Sequence, residues 1–222
     1  EIEYQDDPCT TVYVKFPVKD DLGKLAQYGD LSKTYFLIWT TTIWTLPGNM
    51  AIAVHPRESY VLVKADNGEQ YILAEALTEK VMKAGGVEHY EIAARFTGSD
   101  FEYMKARHPF LDKDSLLCCA EYVTMDSGTG CVHTAPGFGA DDYETCKRYG
   151  IEMVVPVDDQ GRHTDYAGKY AGMKTDESNP VILQDMKESG MLFASEDIVH
   201  SYPHCWRCKK PIIFRATPQW FC

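Results

Sequence analysis

Long apolar runs are missing from this 222-residue sequence. The densest, YFLIW at 35–39, falls far short of the roughly 18 residues that a membrane-crossing helix needs. Nothing in the opening EIEYQDDPCT reads as a signal peptide, with its basic start and apolar centre. Positive charge is scarce. Lys and Arg number 22 against 33 Asp and Glu, a formal charge of −11. A wide nucleic-acid footprint needs Lys and Arg on phosphates, so it is excluded; a small pocket that takes one end of a nucleic acid is not. The sequence also lacks internal repeats, low-complexity tracts, a Gly-x-Ser-x-Gly nucleophile motif and a second CxxC to partner Cys205 and Cys208. There are eight cysteines, but a disulfide framework belongs to small secreted chains. The adjacent Cys118 and Cys119 would point to opposite faces of a strand. A reduced, cytoplasmic protein is therefore expected. With no initiator Met and an abrupt ATPQWFC end, the chain reads as a fragment of something larger.

What is present is ordinary for a folded domain: 45% apolar and 25% charged residues, with 16 Gly and 11 Pro. Thr11–Val18 alternates apolar and polar, a half-buried strand that Pro17 pushes toward an edge. Residues 35–40 read as a buried strand, and AIAV at 51–54 follows a Pro-Gly-Asn turn. YVLVK at 60–64 and QYIL at 70–73 flank Asn67-Gly68, a strong hairpin signal. Helices are expected over 74–86, from Asp141 to Gly150 with Asp141 and Glu144 in capping-box spacing, and from Asn179-Pro180 to Gly190. Further strands are expected near 90–96 and 117–124. Many short strands with few helices predict a β-rich α+β fold, a small closed β-barrel core with helices outside. The expected division is a linking arm over 1–20, a central domain over 21–199 and a second arm over 200–222.

Three segments carry chemistry. In WTTTIWTLPGN, 39–49, three threonines end an apolar strand. Their hydroxyls suit a water or a carbonyl oxygen, though Thr is also simply a good strand residue. GTGCVHTAPGFGADD, 128–142, holds a Gly-rich loop before a helix. Asp141 and Asp142 at that helix start would repel phosphate, so a nucleotide cradle is rejected. One of them suffices as a cap, leaving Asp142 as a spare carboxylate suited to a cation such as a ligand ammonium. His133 lies nine residues before it, and reads as either structural or functional. Cys131 and His133 share a strand face, which leaves a cysteine hydrolase open, although nothing marks Cys131 as activated. In HSYPHCWRCKKP, 200–211, Cys205 and Cys208 supply two ligands where structural zinc takes four. A metal there would need its other ligands from outside the chain; otherwise the pair is unmetallated.

Together these segments, in this order, resemble the editing domain inserted into isoleucyl-tRNA synthetases of bacterial type, connective peptide 1. Valyl and leucyl relatives typically place Arg after two threonines, where this chain has Thr42; Ile43 departs from the family's frequent Pro. The resemblance covers nearly the whole chain. It implies a hydrolase that removes valine from mischarged valyl-tRNA(Ile), or from valyl-adenylate, within an ATP-dependent ligase of protein biosynthesis. Valine and isoleucine differ by one methylene, worth only about 1–3 kcal/mol in a pocket, and this pair is the standard illustration of that limit. A second site too small for isoleucine resolves it. By resemblance, Thr40, Thr41 and Thr42 line that site and position the attacking water, and His133 excludes isoleucine by bulk. Asp142 pairs with the substrate ammonium, Thr45 and Asn49 complete the substrate side, and Trp44 and Tyr202 place the tRNA 3′ end. Editing is expected to need no cofactor. The implied partners are the tRNA(Ile) acceptor end and the rest of the synthetase, with no membrane, in a monomer. Two rivals stand beside this: a non-catalytic module that holds the tRNA 3′ end, and a zinc-carrying structural connector.

Overall fold

One strand, β1 (Ile2–Asp20), does two jobs in the computed structural model, which describes residues 1–222. Its first half, IEYQDDPCT, has no continuous apolar face, and it pairs only with β10 (Leu192–Cys205), from Ile2 opposite Cys205 to Val14 opposite Leu192. The result is a two-stranded antiparallel ribbon. Its second half, TVYVKFPV, is apolar enough to be buried, and Val12, Val14 and Phe16 are fully enclosed. There β1 pairs with β2 (Thr34–Thr40) along Val12–Pro17. Pro17 sits where the opposite flank is free, after β10 has ended at Val14 and before β7 (Lys105–Arg107) joins at Val18. A residue without an N–H fits that gap, which is the edge character expected of it.

Ten strands form a single sheet with three α-helices outside it. The site lies where β3 (Ala51–Val54) is flanked on one side by β8 (Asp114–Cys119), parallel, and on the other by β9 (Cys131–Thr134), antiparallel. All four β3 residues are buried, which explains the unbroken AIAV run. The pairings β1–β7, β7–β8, β8–β3, β3–β9, β9–β2 and β2–β1 return to their starting strand. Beyond β2 the sheet continues through β5 (Gln70–Ala74), β4 (Ser59–Ala65) and β6 (Tyr90–Thr97). The β4–β5 turn is the expected Asn-Gly hairpin. Gly68 takes φ +86°, and Asn67 Oδ1 accepts from Glu69 N at 2.9 Å.

Four local expectations need correction. The helix α1 (Thr78–Ala84) is shorter than expected, because Ala74 belongs to β5 and a 3₁₀ turn intervenes. In α2 (Ala140–Arg148) the cap is the extended Gly139, not Asp141, which lies inside the first turn. Helix α3 (Thr175–Ser189) starts before Asn179-Pro180, so Pro180 sits inside it. Glu177 Oε2 accepts from Lys174 N at 3.1 Å, closing the true start, and Gly190 at φ +78° ends it as expected. The strand expected over 117–124 is β8, which begins earlier and stops at Cys119. The residues after it wrap around the site instead.

Candidate active site

The threonines end β2 by bonding to their own backbone. Thr40 Oγ1 accepts from Thr42 N at 3.1 Å and faces Thr42 O at 3.4 Å, a side-chain turn that stops the strand. Thr41 Oγ1 and Thr42 Oγ1 lie 3.5 Å apart. A 3₁₀ turn over Ile43–Gly48 follows, and Thr45 Oγ1 donates to Thr42 O at 2.9 Å. Strand propensity alone accounts for none of these contacts. All three threonines remain half-buried, with hydroxyl surface to offer.

His133 is placed by register, opposite Ile52 of β3, and its ring is held at both nitrogens. Nε2 lies 3.0 Å from Thr45 Oγ1 and Nδ1 lies 2.8 Å from Asn49 Nδ2. Asn49 is fully buried; its amide also donates to Ala51 O at 3.0 Å, and its Oδ1 accepts from Ser115 Oγ at 2.6 Å. Because Thr45 gives its proton to Thr42 O, its oxygen must accept from the ring, and because Asn49 gives an N–H to Nδ1, that nitrogen is bare. The network therefore selects the neutral Nε2–H tautomer. Burial, then the nearby Lys113 charge, pushes the His133 pKa down to about 3. Asn49 and Thr45 thus act through the ring, and both nitrogens are occupied.

His108 is a second buried neutral imidazole. Its Nε2 donates to Leu46 O at 2.7 Å while its Nδ1 accepts from Phe110 N and Leu111 N, and its pKa falls to about 3 by burial. The unfolded chain protonates both near 6.5. Between about pH 3 and 6.5 the unfolded state holds more protons. Stability from these groups is therefore complete above pH 6.5 and lost as pH falls, by about 1.4 kcal/mol per pH unit for each histidine. Urea titrations at pH 7 and pH 5 are expected to show the fall, and His108→Gln is expected to reduce it by about half, leaving the His133 share. A midpoint independent of pH over that window would contradict the assignment.

A cavity of about 300 Å³ opens beside this ring, lined by Trp39, Thr40, Thr41, Tyr122, Gly128 and His133 among others. The Gly-rich loop is glycine-rich for packing. At Gly128, φ +73°, a Cβ would stand 3.1 Å from the Trp39 ring, and at Gly130, φ +78°, it would strike the Ala74 methyl. Asp142 does not line this cavity. Its Oδ2 accepts from Ala135 N at 2.9 Å, two residues beyond His133, and no cation of the chain pairs with its other oxygen. Burial raises its pKa, partly offset by the Ala135 N–H. Tyr122 links the two, lining the cavity and feeling the Asp142 charge.

A second groove, about 530 Å³, runs on from Thr41 and Thr42 past Trp44, His200, Tyr202 and Lys210. His200 and Tyr202 stack with centroids 5.5 Å apart and planes 16° apart. Trp44 is largely buried, edge-on to Phe138 at 4.9 Å. The cysteine-hydrolase option has no support in this geometry: Cys131 is buried, its thiol pushed well above the ordinary range, and the ring of His133 is already taken. No cluster of three His, Cys, Asp or Glu side chains sits together to hold a metal, and Cys205 and Cys208 remain two thiols. Sequence reading placed Trp39 in the threonine segment without a role, and missed Tyr122 and Ser115. Tyr122 follows Glu121 in the segment after β8, and Ser115 follows Asp114 at the start of β8 although it is fully buried, so nothing in the local pattern distinguishes either.

Residues 13–199 match the family model described as the leucyl-tRNA synthetase editing domain. The isoleucine-tRNA ligases of Petrotoga mobilis and Desulfotalea psychrophila are 52% and 53% identical over the whole of this chain, which covers 23% of each. The chain thus spans about a quarter of the length of the curated relatives it matches. Among solved structures, the cytosolic leucyl-tRNA synthetase editing domain of P. knowlesi aligns with TM-score 0.63 at 14% identity, covering 87% of this chain and 97% of its own. That of P. falciparum aligns with TM-score 0.64 at 12% identity, covering 84% and 99%. At such identities the two structures speak for the fold.

Proposed function

Because the chain belongs to the editing domains of the isoleucyl- and leucyl-tRNA synthetase family, we propose that it hydrolyses valyl-tRNA(Ile) and spares isoleucyl-tRNA(Ile), as part of an isoleucine-tRNA ligase in the cytoplasm. The observation that carries this is the neutral His133 ring, pinned at both nitrogens on the wall of a threonine-lined cavity. A ring so held cannot take a proton from water without breaking its own bonds, so it serves as a wall and not as a base. Size exclusion is what a rigid wall supplies.

The chemistry then rests on positioning. An aminoacyl ester is already reactive, with an ammonium beside its carbonyl. Fixing that ester and one water in register supplies a large rate factor without a strong base. The hydroxyls of Thr40, Thr41 and Thr42 are the groups at hand for the water. The unpaired oxygen of Asp142 takes the ammonium, and the groove of Trp44 and Tyr202 takes the terminal nucleotides. The cycle of six strand pairings supports a small closed barrel as the frame. The β1–β10 ribbon is then the connection to the rest of the ligase, the central domain running between its two arms. A zinc at Cys205 and Cys208 would draw its remaining ligands from that body, and the hydrolytic step needs no cofactor. The protein acts as a monomer.

Deacylation of valyl- and isoleucyl-tRNA(Ile), followed in parallel with the chain and with the full ligase, tests the reading. Loss of the valyl ester alone is expected. Retained binding of the tRNA end with neither ester hydrolysed by the full ligase would favour the non-catalytic module.

A further inference from the structure

The cavity wall and the threonine turn are joined by one directional chain of hydrogen bonds that begins far from any substrate. Ser115, fully buried in β8, donates to Asn49 Oδ1 at 2.6 Å. The amide of Asn49 then has both N–H bonds spent, on Ala51 O at 3.0 Å and on His133 Nδ1 at 2.8 Å. His133 passes its remaining N–H to Thr45 at 3.0 Å, and Thr45 passes its proton to Thr42 O at 2.9 Å. Every donor has one acceptor and every step has one polarity. Ala51 O, a carbonyl, sets that polarity, because an amide oxygen turned toward it would meet another acceptor.

From this we infer that Ser115 is a positioning residue for size selection: by holding Asn49, it fixes the orientation and tautomer of His133, and through Thr45 it couples that wall to the turn that places the water. The inference rests on the reading of His133 as the wall. Ser115 touches neither cavity nor groove, so any effect it has on selectivity travels through the relay. Without its hydroxyl, Asn49 Oδ1 is a buried acceptor with no partner. A penalty of that kind is enough to displace the amide in a large share of molecules. Once the amide moves, His133 Nδ1 loses its donor, the Nδ1–H tautomer becomes available, and Thr45 is freed from its single arrangement. The two functions of the site, rejecting a side chain and placing a water, then fail together.

The test reads the ring itself. The chain has seven histidines, so selective labelling of His nitrogens gives a tractable spectrum, and His133→Gln identifies its signals. In the wild-type chain a neutral ring with its proton on Nε2 is expected. In Ser115→Ala a mixture with the Nδ1–H form is expected, and the preference of the ligase for valyl over isoleucyl ester is expected to fall about tenfold. Unchanged ring signals and an unchanged preference in Ser115→Ala would overturn the inference. Should that variant fail to fold, Ser115→Cys asks the same question with a thiol, a weaker donor of similar size, in place of the hydroxyl. A smaller share of the Nδ1–H form and a smaller loss of preference are expected there; ring signals and preference both identical to the wild type would equally overturn it. The ring signals need no substrate, so a tautomer shift in a protein that hydrolyses neither ester would refute the proposed function while leaving the relay standing.

Discussion

Asp142→Asn is expected to slow deacylation of the valyl ester about a hundredfold and to leave the fold intact. The size follows from the loss of one charge-assisted contact to an ammonium in a partly buried place, a few kcal/mol. The choice of Asn over Ala matters. Asp142 Oδ2 also accepts from Ala135 N, and an Asn oxygen keeps that bond, so the loop beyond His133 stays anchored while the charge goes. The pH dependence has a fixed sign. Burial raises the Asp142 pKa from its ordinary value, and only the ionised form pairs with an ammonium. The rate constant kcat/KM should therefore fall as pH drops through that raised value, and the acidic limb should vanish in the variant. Stability runs the other way. The folded state binds the Asp142 proton more readily than the unfolded chain does, so this carboxylate weighs against folding at neutral pH and ceases to do so in acid. Asp142→Asn should be at least as stable as the wild type at pH 7 by thermal unfolding. That sets it apart from His108 and His133, whose contribution is lost in acid. Full activity in Asp142→Asn would remove the ammonium role.

The sequence exposes those elements whose signal is local. Asn67-Gly68 between two apolar runs is a hairpin because the φ at Gly68 demands it, and AIAV is a buried strand because neighbours lie on both sides. Local signals mislead where tertiary contacts recruit the same side chains. Asp141 and Glu144 have the spacing of a capping box, yet Gly139 caps α2. Asp142, in that first turn, bends back to Ala135. Pro180 reads as a helix start, but Glu177 closes the start earlier. The site divides in the same way. The threonines, His133 and Asp142 stand out as motif members. Ser115 and Tyr122 do not, because their place depends on which strands pair across β3 and where β8 stops.

His133→Ala carries the second large effect: isoleucyl-tRNA(Ile), which the proposed function has the wild type spare, is expected to be hydrolysed within about tenfold of the valyl ester. The barrier to isoleucine in this reading is a single methylene meeting a ring that cannot swing aside, since Asn49 and Thr45 hold both its nitrogens. Truncation to Ala removes the ring and opens far more space than one methylene requires. It also strands an Asn49 N–H and leaves Thr45 without its donor, so the variant should lose about 1–3 kcal/mol for the unpaired groups, with a further cavity penalty. Lower stability alone would slow both esters together. The discriminating quantity is therefore the ratio of the two rates, measured at a temperature where the variant is folded. His133→Gln separates bulk from bonding. Its amide has an oxygen to accept from Asn49, an N–H to give Thr45, and a length close to that of the ring. It should keep most of the rejection where Ala loses it. Were Ala to keep the wild-type ratio, the wall would have to be another lining group, with Trp39 and Tyr122 the remaining large side chains of the cavity.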